Sequence, residues 1–346
     1  MARRFLWASL ALAPVTIALH YLADLGDTVE FVLAAAALIP LAWLIGEATE
    51  HAAHHTGPGI GGFLNATFGN APELIIALLA VHEGLTEVVR GSLSGSVVGN
   101  LLLVLGFSLL FGPRGQLDRE SSLVSIGLVA FAVLLFLIPA IPGWSGNPER
   151  DSLVNLSIPV AAALLVAYVG ATWLTLRRHR RLHVSDAADE MRGWSFGLAI
   201  VVLALATVVT ALIAEIVVGT IEVFADRASL SQFFVAAVIV AIVGNAAEHG
   251  GAVVVAARGQ IKLATEIALA SAAQVAVFLI PAVTLLALLI DPLALSFRLV
   301  EIGALAFGVV LTFALLFQGR SSKARGVTLI AAYVGVAIAF GVAGDR

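Results

Sequence analysis

The chain has 346 residues, of which 60% are hydrophobic and only 12% charged, and its mean hydropathy is +1.03. That balance excludes an ordinary soluble domain, whose helices need polar faces, and identifies a polytopic α-helical membrane protein. A net charge of −4 gives no footing for a nucleic-acid partner, and the absence of cysteine excludes disulfides and thiolate metal sites.

Eleven apolar stretches of spanning length are expected, at 5–22, 28–53, 60–82, 91–111, 121–141, 152–176, 195–221, 231–256, 263–290, 297–317 and 326–343. The first follows Arg3-Arg4. No small-x-small cleavage site precedes Asp24, so it reads as a retained helix and not as a signal peptide. The second ends in Gly46-Glu47-Ala48-Thr49-Glu50-His51-Ala52-Ala53-His54-His55, where spacings of three and four put Glu47, Glu50 and His54 on one face. Acids and imidazoles so spaced suit a transition metal, whereas an interfacial helix end explains the histidines alone. Their order departs from the H-E-x-x-H protease pattern, which argues against a membrane metallo-enzyme.

The third stretch carries Gly69-Asn70-Ala71-Pro72-Glu73, and the eighth carries Gly244-Asn245-Ala246-Ala247-Glu248. The two pentads lie 175 residues apart, and the same offset pairs Ala66 with Ala241, Ala77 with Ala252 and Ser96 with Ser271. One register held across neighbouring helices marks a duplicated unit. Each copy sets a carboxylate, Glu73 or Glu248, where lipid forbids a bare charge, and such residues mark ion pathways. Pro72 removes a backbone donor, so a helix loosened there offers carbonyl oxygens beside the acid and the Asn70 or Asn245 amide. Oxygen-only ligation with two acids suits a hard cation such as calcium.

The helices that follow each pentad are rich in small polar residues, Gly91 to Asn100 and Ala270 to Gln274. Close helix packing explains most of them, while Ser96, Ser271 and Gln274 are placed to supply hydroxyl or amide oxygens to the site. Glu215 and Glu222 stand seven apart on the seventh helix, with Glu215 well inside the apolar run and Glu222 near its outer end. His249 follows Glu248 where the first copy has Leu74, which makes it either a packed core histidine or a proton-linked residue.

With the first helix standing alone over 1–27, ten helices remain, five over 28–176 and five over 194–346, joined by a polar linker over 177–193. An odd number per repeat makes the two halves enter the membrane in opposite senses, the inverted arrangement of many transporters. An N-terminus inside and a C-terminus outside puts fourteen of the 19 basic residues on the cytoplasmic side, among them Arg114, Arg180 and Arg258, against five outside, such as Arg150 and Arg227. Two nearby carboxylates in low dielectric cannot both stay ionised when empty, and a divalent cation or protons neutralise them equally. A site that crosses only when neutralised is that of an antiporter.

The run Gly61-Gly62-Phe63-Leu64-Asn65-Ala66-Thr67-Phe68-Gly69-Asn70-Ala71-Pro72-Glu73-Leu74-Ile75-Ile76-Ala77 resembles the first signature of calcium/cation–proton exchangers, and Ile242-Val243-Gly244-Asn245-Ala246-Ala247-Glu248-His249 resembles the second. The similarity extends from the second helix to the last. Pro72 and Ala270, before Ser271, depart from the usual residues. The resemblance implies an eleven-helix fold with an orphan first helix and two inverted five-helix repeats. It implies Glu73 and Glu248 as central cation ligands and proton acceptors, with Asn70, Asn245, Ser96, Ser271 and Gln274 beside them. Glu50, Glu215 and Glu222 match acids associated with cation access or proton linkage. The expected function is export of Ca2+ from the cytoplasm across the inner membrane in exchange for protons, with no cofactor beyond the transported ions. A related antiporter (Na+/H+, K+/H+, Mn2+/H+ or Na+/Ca2+) is the near alternative, and a cation channel or a membrane metallo-enzyme the distant one.

Overall fold

The computed structural model describes residues 2–23, 25–182 and 193–346, with side chains outside 2–4, 57–63, 65–66, 174–182 and 247. Among the described residues the chain is helical, apart from turns and one isolated antiparallel bridge between Gln116 and Arg320. The helices are α1 Phe5–Leu22, α2 Asp27–Phe68, α3 Ala71–His82, α4 Thr86–Phe111, α5 Arg119–Gly143 and α6 Asp151–Leu182. They continue as α7 Phe196–Ala228, α8 Gln232–Gly244, α9 Ala246–Ala257, α10 Ile261–Ala287, α11 Leu299–Leu316 and α12 Lys323–Ala343. Among the described residues nine helices are long and apolar enough to cross a membrane, and counting α8 with α9 as one span bent by 57° makes ten. Large apolar side chains such as Leu134, Leu205, Val310 and Val342 lie bare on the outside, as expected of a lipid-facing surface.

The boundaries differ most from expectation between residues 53 and 71. The second helix does not stop at residue 53; its backbone stays helical through Gly57–Gly62 to Phe68, and α3 is a separate short helix. The physical stop lies at the pentad. Pro72 has no N–H to offer the carbonyl four residues back, and Asn70 leaves the helical region at φ −102°, ψ 18°. Asn245 breaks the second copy in the same way, at φ −89°, ψ 5°. α3 and α9 each run twelve residues from the position after the asparagine, so the 175-residue register visible in the sequence recurs in the backbone. Wide i→i+5 turns recur as well, at Gly99–Val104 and Val275–Leu279. A third, at Val235–Val240, has no counterpart in the first half. Of the expected polar linker, residues 177–182 continue α6, and 183–192 lie outside the described residues.

Two contacts position the site. α2 and α7 pack along one another, with Phe31 stacked on Phe224 at 4.1 Å between ring centroids. α4 crosses α8 at backbone distance: a Cβ built on Gly95 would come 2.0 Å from the Ala237 carbonyl oxygen. Only a glycine permits that crossing.

Candidate cation site

Glu73 and Glu248 are each the third residue of their helix, in the first turn, where unpaired backbone N–H groups favour a carboxylate. Glu73 is buried, and its Oε2 has no hydrogen-bond partner among the described residues. Its Oε1 faces the other pentad, so that a Cβ on Gly244 would sit 3.4 Å away. Glu248 is half-buried on the wall of a cavity of about 510 Å³, and its Oε2 accepts a hydrogen bond from Ser271 Oγ at 2.5 Å. The two carboxylates lie within electrostatic range of each other.

Each asparagine reaches across to the opposite half. Asn245 Nδ2 donates to Ser96 Oγ at 2.9 Å and to the Ala241 carbonyl at 2.9 Å. Its Oδ1 is left buried without a hydrogen-bond partner among the described residues. Asn70 Nδ2 donates to Gln274 Oε1 at 3.5 Å. The structure therefore brings together Glu73, Glu248, Asn70, Asn245, Ser96, Ser271 and Gln274, from α3, α9, the breaks before them, α4 and α10. Asn100, by contrast, turns its amide back onto the Ser96 carbonyl of its own helix at 3.0 Å. His249 is half-buried beside Glu248, and its Nε2 has no hydrogen-bond partner among the described residues.

The acids of α2 stand in the same cavity. Glu47 and Glu50 line it together with Glu248, Ser271 and Gln274. His54 is exposed and does not line it; the imidazole that meets Glu47 is His51, 3.6 Å away. Among the described residues no three His, Cys, Asp or Glu side chains gather closely enough to hold a metal ion. The transition-metal face expected from Glu47, Glu50 and His54 is thus not formed there. One lining acid escaped the sequence reading: Glu266 on α10, eight residues before Gln274 and on its face.

Glu215 and Glu222 lie far from this cavity. Glu215 lines a second one of about 340 Å³, with Asp27, Glu30 and Glu83, while Glu222 is exposed and outside it. Glu30 there meets His20 of α1, with Oε2 and Nδ1 2.6 Å apart. A buried charge cluster around Arg90, Arg298 and Glu301 also went unread in the sequence, because its members come from distant segments.

A family profile described as sodium/calcium exchanger protein matches residues 27–177 and 198–342. The Ca2+/H+ antiporter ChaA of Bacillus subtilis (strain 168) is 39% identical over 325 residues, covering 91% of this chain and 92% of that protein. A Ca2+/H+ antiporter of Synechocystis sp. is 34% identical over 359 residues, covering 96% and 95%. Among solved structures, native YfkE superposes with a TM-score of 0.84 at 35% identity, over 97% of this chain and 99% of that one.

Proposed function

Because the chain belongs to the sodium/calcium exchanger protein family, with Ca2+/H+ antiporters among its relatives, we propose that it is a secondary antiporter exporting Ca2+ in exchange for protons. The observation that carries the reading is the crossed pair of pentads. The first-turn carboxylate of Glu248 opens onto the cavity and that of Glu73 lies behind Gly244 of its wall, with buried Glu73 Oε2 and Asn245 Oδ1 lacking any hydrogen-bond partner among the described residues. Buried acceptors without donors suit a cation, and a set made wholly of oxygens suits a hard one.

The exchange follows from charge. A charged side chain at the centre of a bilayer costs about 2.5–3.5 kcal/mol even on the lenient scale, so the empty, doubly ionised site resists crossing. One Ca2+ cancels both charges, and two protons do the same, so the site crosses in either loaded form. In this reading Glu73 and Glu248 bind both ions, the two asparagines and Ser96, Ser271 and Gln274 complete the oxygen set, and His249 tunes the neighbouring acid.

The architecture we propose has eleven spans: an orphan helix over 1–27, repeats over 28–176 and 194–346, and a linker over 177–193. Taking residues 232–257 as one bent span, and 60–82 as its partner in the same register, completes that number. The N-terminus is cytoplasmic, in the inner membrane. The cavity holding Glu47 and Glu50 then opens to the cytoplasm and reaches the site. The cavity holding Glu215 then opens outward and is lined by neither Glu73 nor Glu248, whereas the first is lined by Glu248, which supports the reading of an inward-facing conformer.

Two results test these assignments. In the cysteine-free chain, Arg258→Cys should resist an impermeant thiol reagent applied to intact cells, while Arg227→Cys should react; labelling of Arg258→Cys from outside overturns the topology. Ser271→Ala should weaken Ca2+ binding roughly ten- to a hundredfold, since a hydrogen bond to a charged group contributes about 1.5–3 kcal/mol. An unchanged apparent affinity in proteoliposomes removes Ser271 from the site. The function itself is tested by a cation series in proteoliposomes with internal pH monitored. Ca2+ should drive proton movement, and a response to Na+ or K+ alone would reassign the ion.

A further inference from the structure

The strongest feature outside the cation site is a buried cluster of charges at the start of α4, the start of α11 and the last residues of the chain. Glu301 is fully buried, and Arg90 and Arg298 are nearly so. Arg90 pairs with Glu149 and Glu87, the latter at 3.1 Å, and Arg298 lies 3.5 Å from Glu87 and 3.6 Å from Glu301. Glu301 also accepts from the Arg298 backbone N–H at 2.7 Å, and its Oε1 lies 3.3 Å from Ser94 Oγ, whose hydroxyl donates at 2.8 Å to the Arg90 carbonyl and so ties Glu301 to that turn of α4. Removing both ions of such a pair is often harmless, whereas removing one strands the other in low dielectric.

The cluster grips both helices that hold Asn245. On α4 it takes Arg90 and Ser94, six and two residues before Ser96. On α8 it takes Phe233: the Arg298 guanidinium sits 3.8 Å from the centre of that ring, and Asp345 accepts from the Gln232 and Phe233 N–H groups at 3.1 and 2.8 Å. α8 runs from there to Gly244, so its depth decides where the Asn245 amide stands. The sequence does not repeat this cluster at the related end of α10. The positions 175 residues after Glu87 and Arg90 are Lys262 and Thr265, and Thr265 donates to the Ile261 carbonyl of its own helix. There the cross-tie of the other asparagine, Asn70 to Gln274, is 3.5 Å against 2.9 Å for Asn245 to Ser96.

We propose that Glu301, acting through Arg90, Arg298 and Ser94, is a positioning residue for Asn245: it holds α4 and α8 in the register in which Ser96 carries the Asn245 amide and leaves Oδ1 to the cation. The inference rests on the cation site proposed above. It implies that Glu301 affects Ca2+ binding only while the Ser96–Asn245 bond exists.

The test is a double-mutant cycle in proteoliposomes. Glu301→Gln should raise the KM for Ca2+ about tenfold with the maximal rate within about twofold, and in a Ser96→Ala background the same change should add less than about twofold. Equal factors in both backgrounds, or a lost maximal rate at unchanged KM, overturn the proposal and leave Glu301 a stabilising residue. Should Glu301→Gln fail to reach the membrane, Ser94→Ala carries the test: it should raise KM about threefold alone and not at all beside Ser96→Ala. Absence of any Ca2+ flux in the parent protein would instead refute the functional reading, whereas flux with additive substitutions refutes this inference alone.

Discussion

Glu73→Gln and Glu248→Gln should each reduce proton-coupled Ca2+ transport by at least about a hundredfold while leaving a folded, membrane-inserted protein. Glutamine keeps the size and one acceptor oxygen but removes the charge and the proton-binding capacity. Deleting a carboxylate that faces a bound cation in low dielectric costs about 3–5 kcal/mol, the scale of breaking a buried ion pair, which corresponds to more than two decades in binding. The environments of the two acids differ, since Glu73 is sealed behind Gly244 and Glu248 opens onto the cavity, yet both charges are needed to balance one divalent cation. Radiolabelled Ca2+ flux at saturating calcium, on protein shown to be monodisperse by size exclusion, checks this. Near-normal flux in either variant would dissolve the two-carboxylate site.

The second large effect falls on packing. Gly95→Ala puts a methyl group 2.0 Å from the Ala237 carbonyl oxygen and 2.7 Å from its Cα, and neither atom is at the end of a flexible side chain. α4 and α8 must part. Overpacking of this kind costs typically about 1–3 kcal/mol, and backbone contacts this short put it at the upper end. Since Ser96 is the next residue, the parting also stretches its bond to Asn245, so a lower melting temperature in detergent should accompany a raised KM for Ca2+. Gly127→Ala, with no atom within 4 Å of the added carbon, is the control and should be neutral or slightly stabilising through helix propensity. Equal melting temperatures for the two variants would contradict the close crossing.

Much of this was legible in the residues because it is local or repeated. Helical spans follow from apolar runs, and the duplicated pentad fixed which two acids to watch. The break at Asn70 was legible through Pro72, whereas the break at Asn245 has no proline and shows only through the shared register. Other features were not local. Gly57–Gly62 holds a string of helix-weakening residues, so its sequence argues for a break, yet the backbone remains helical there. Spacing placed Glu47, Glu50 and His54 on one face, but spacing does not fix where a side chain turns, and Glu47 meets His51 instead. The Arg90 cluster was invisible, since Arg90 finds Ser296 at 206 residues' separation and no motif links them. Glu266 was within reach, as an acid eight residues from Gln274 on a helix already singled out.

The most direct measurement is Ca2+ uptake into inverted membrane vesicles carrying this protein, with the interior acidified and internal pH followed. Antiport through the paired carboxylates predicts that Ca2+ enters only while the gradient stands, that each addition of Ca2+ alkalinises the interior, and that a protonophore ends uptake. Uptake that persists at the same initial rate after the gradient is collapsed, with no proton movement on Ca2+ addition, would contradict it and point to a passive pathway.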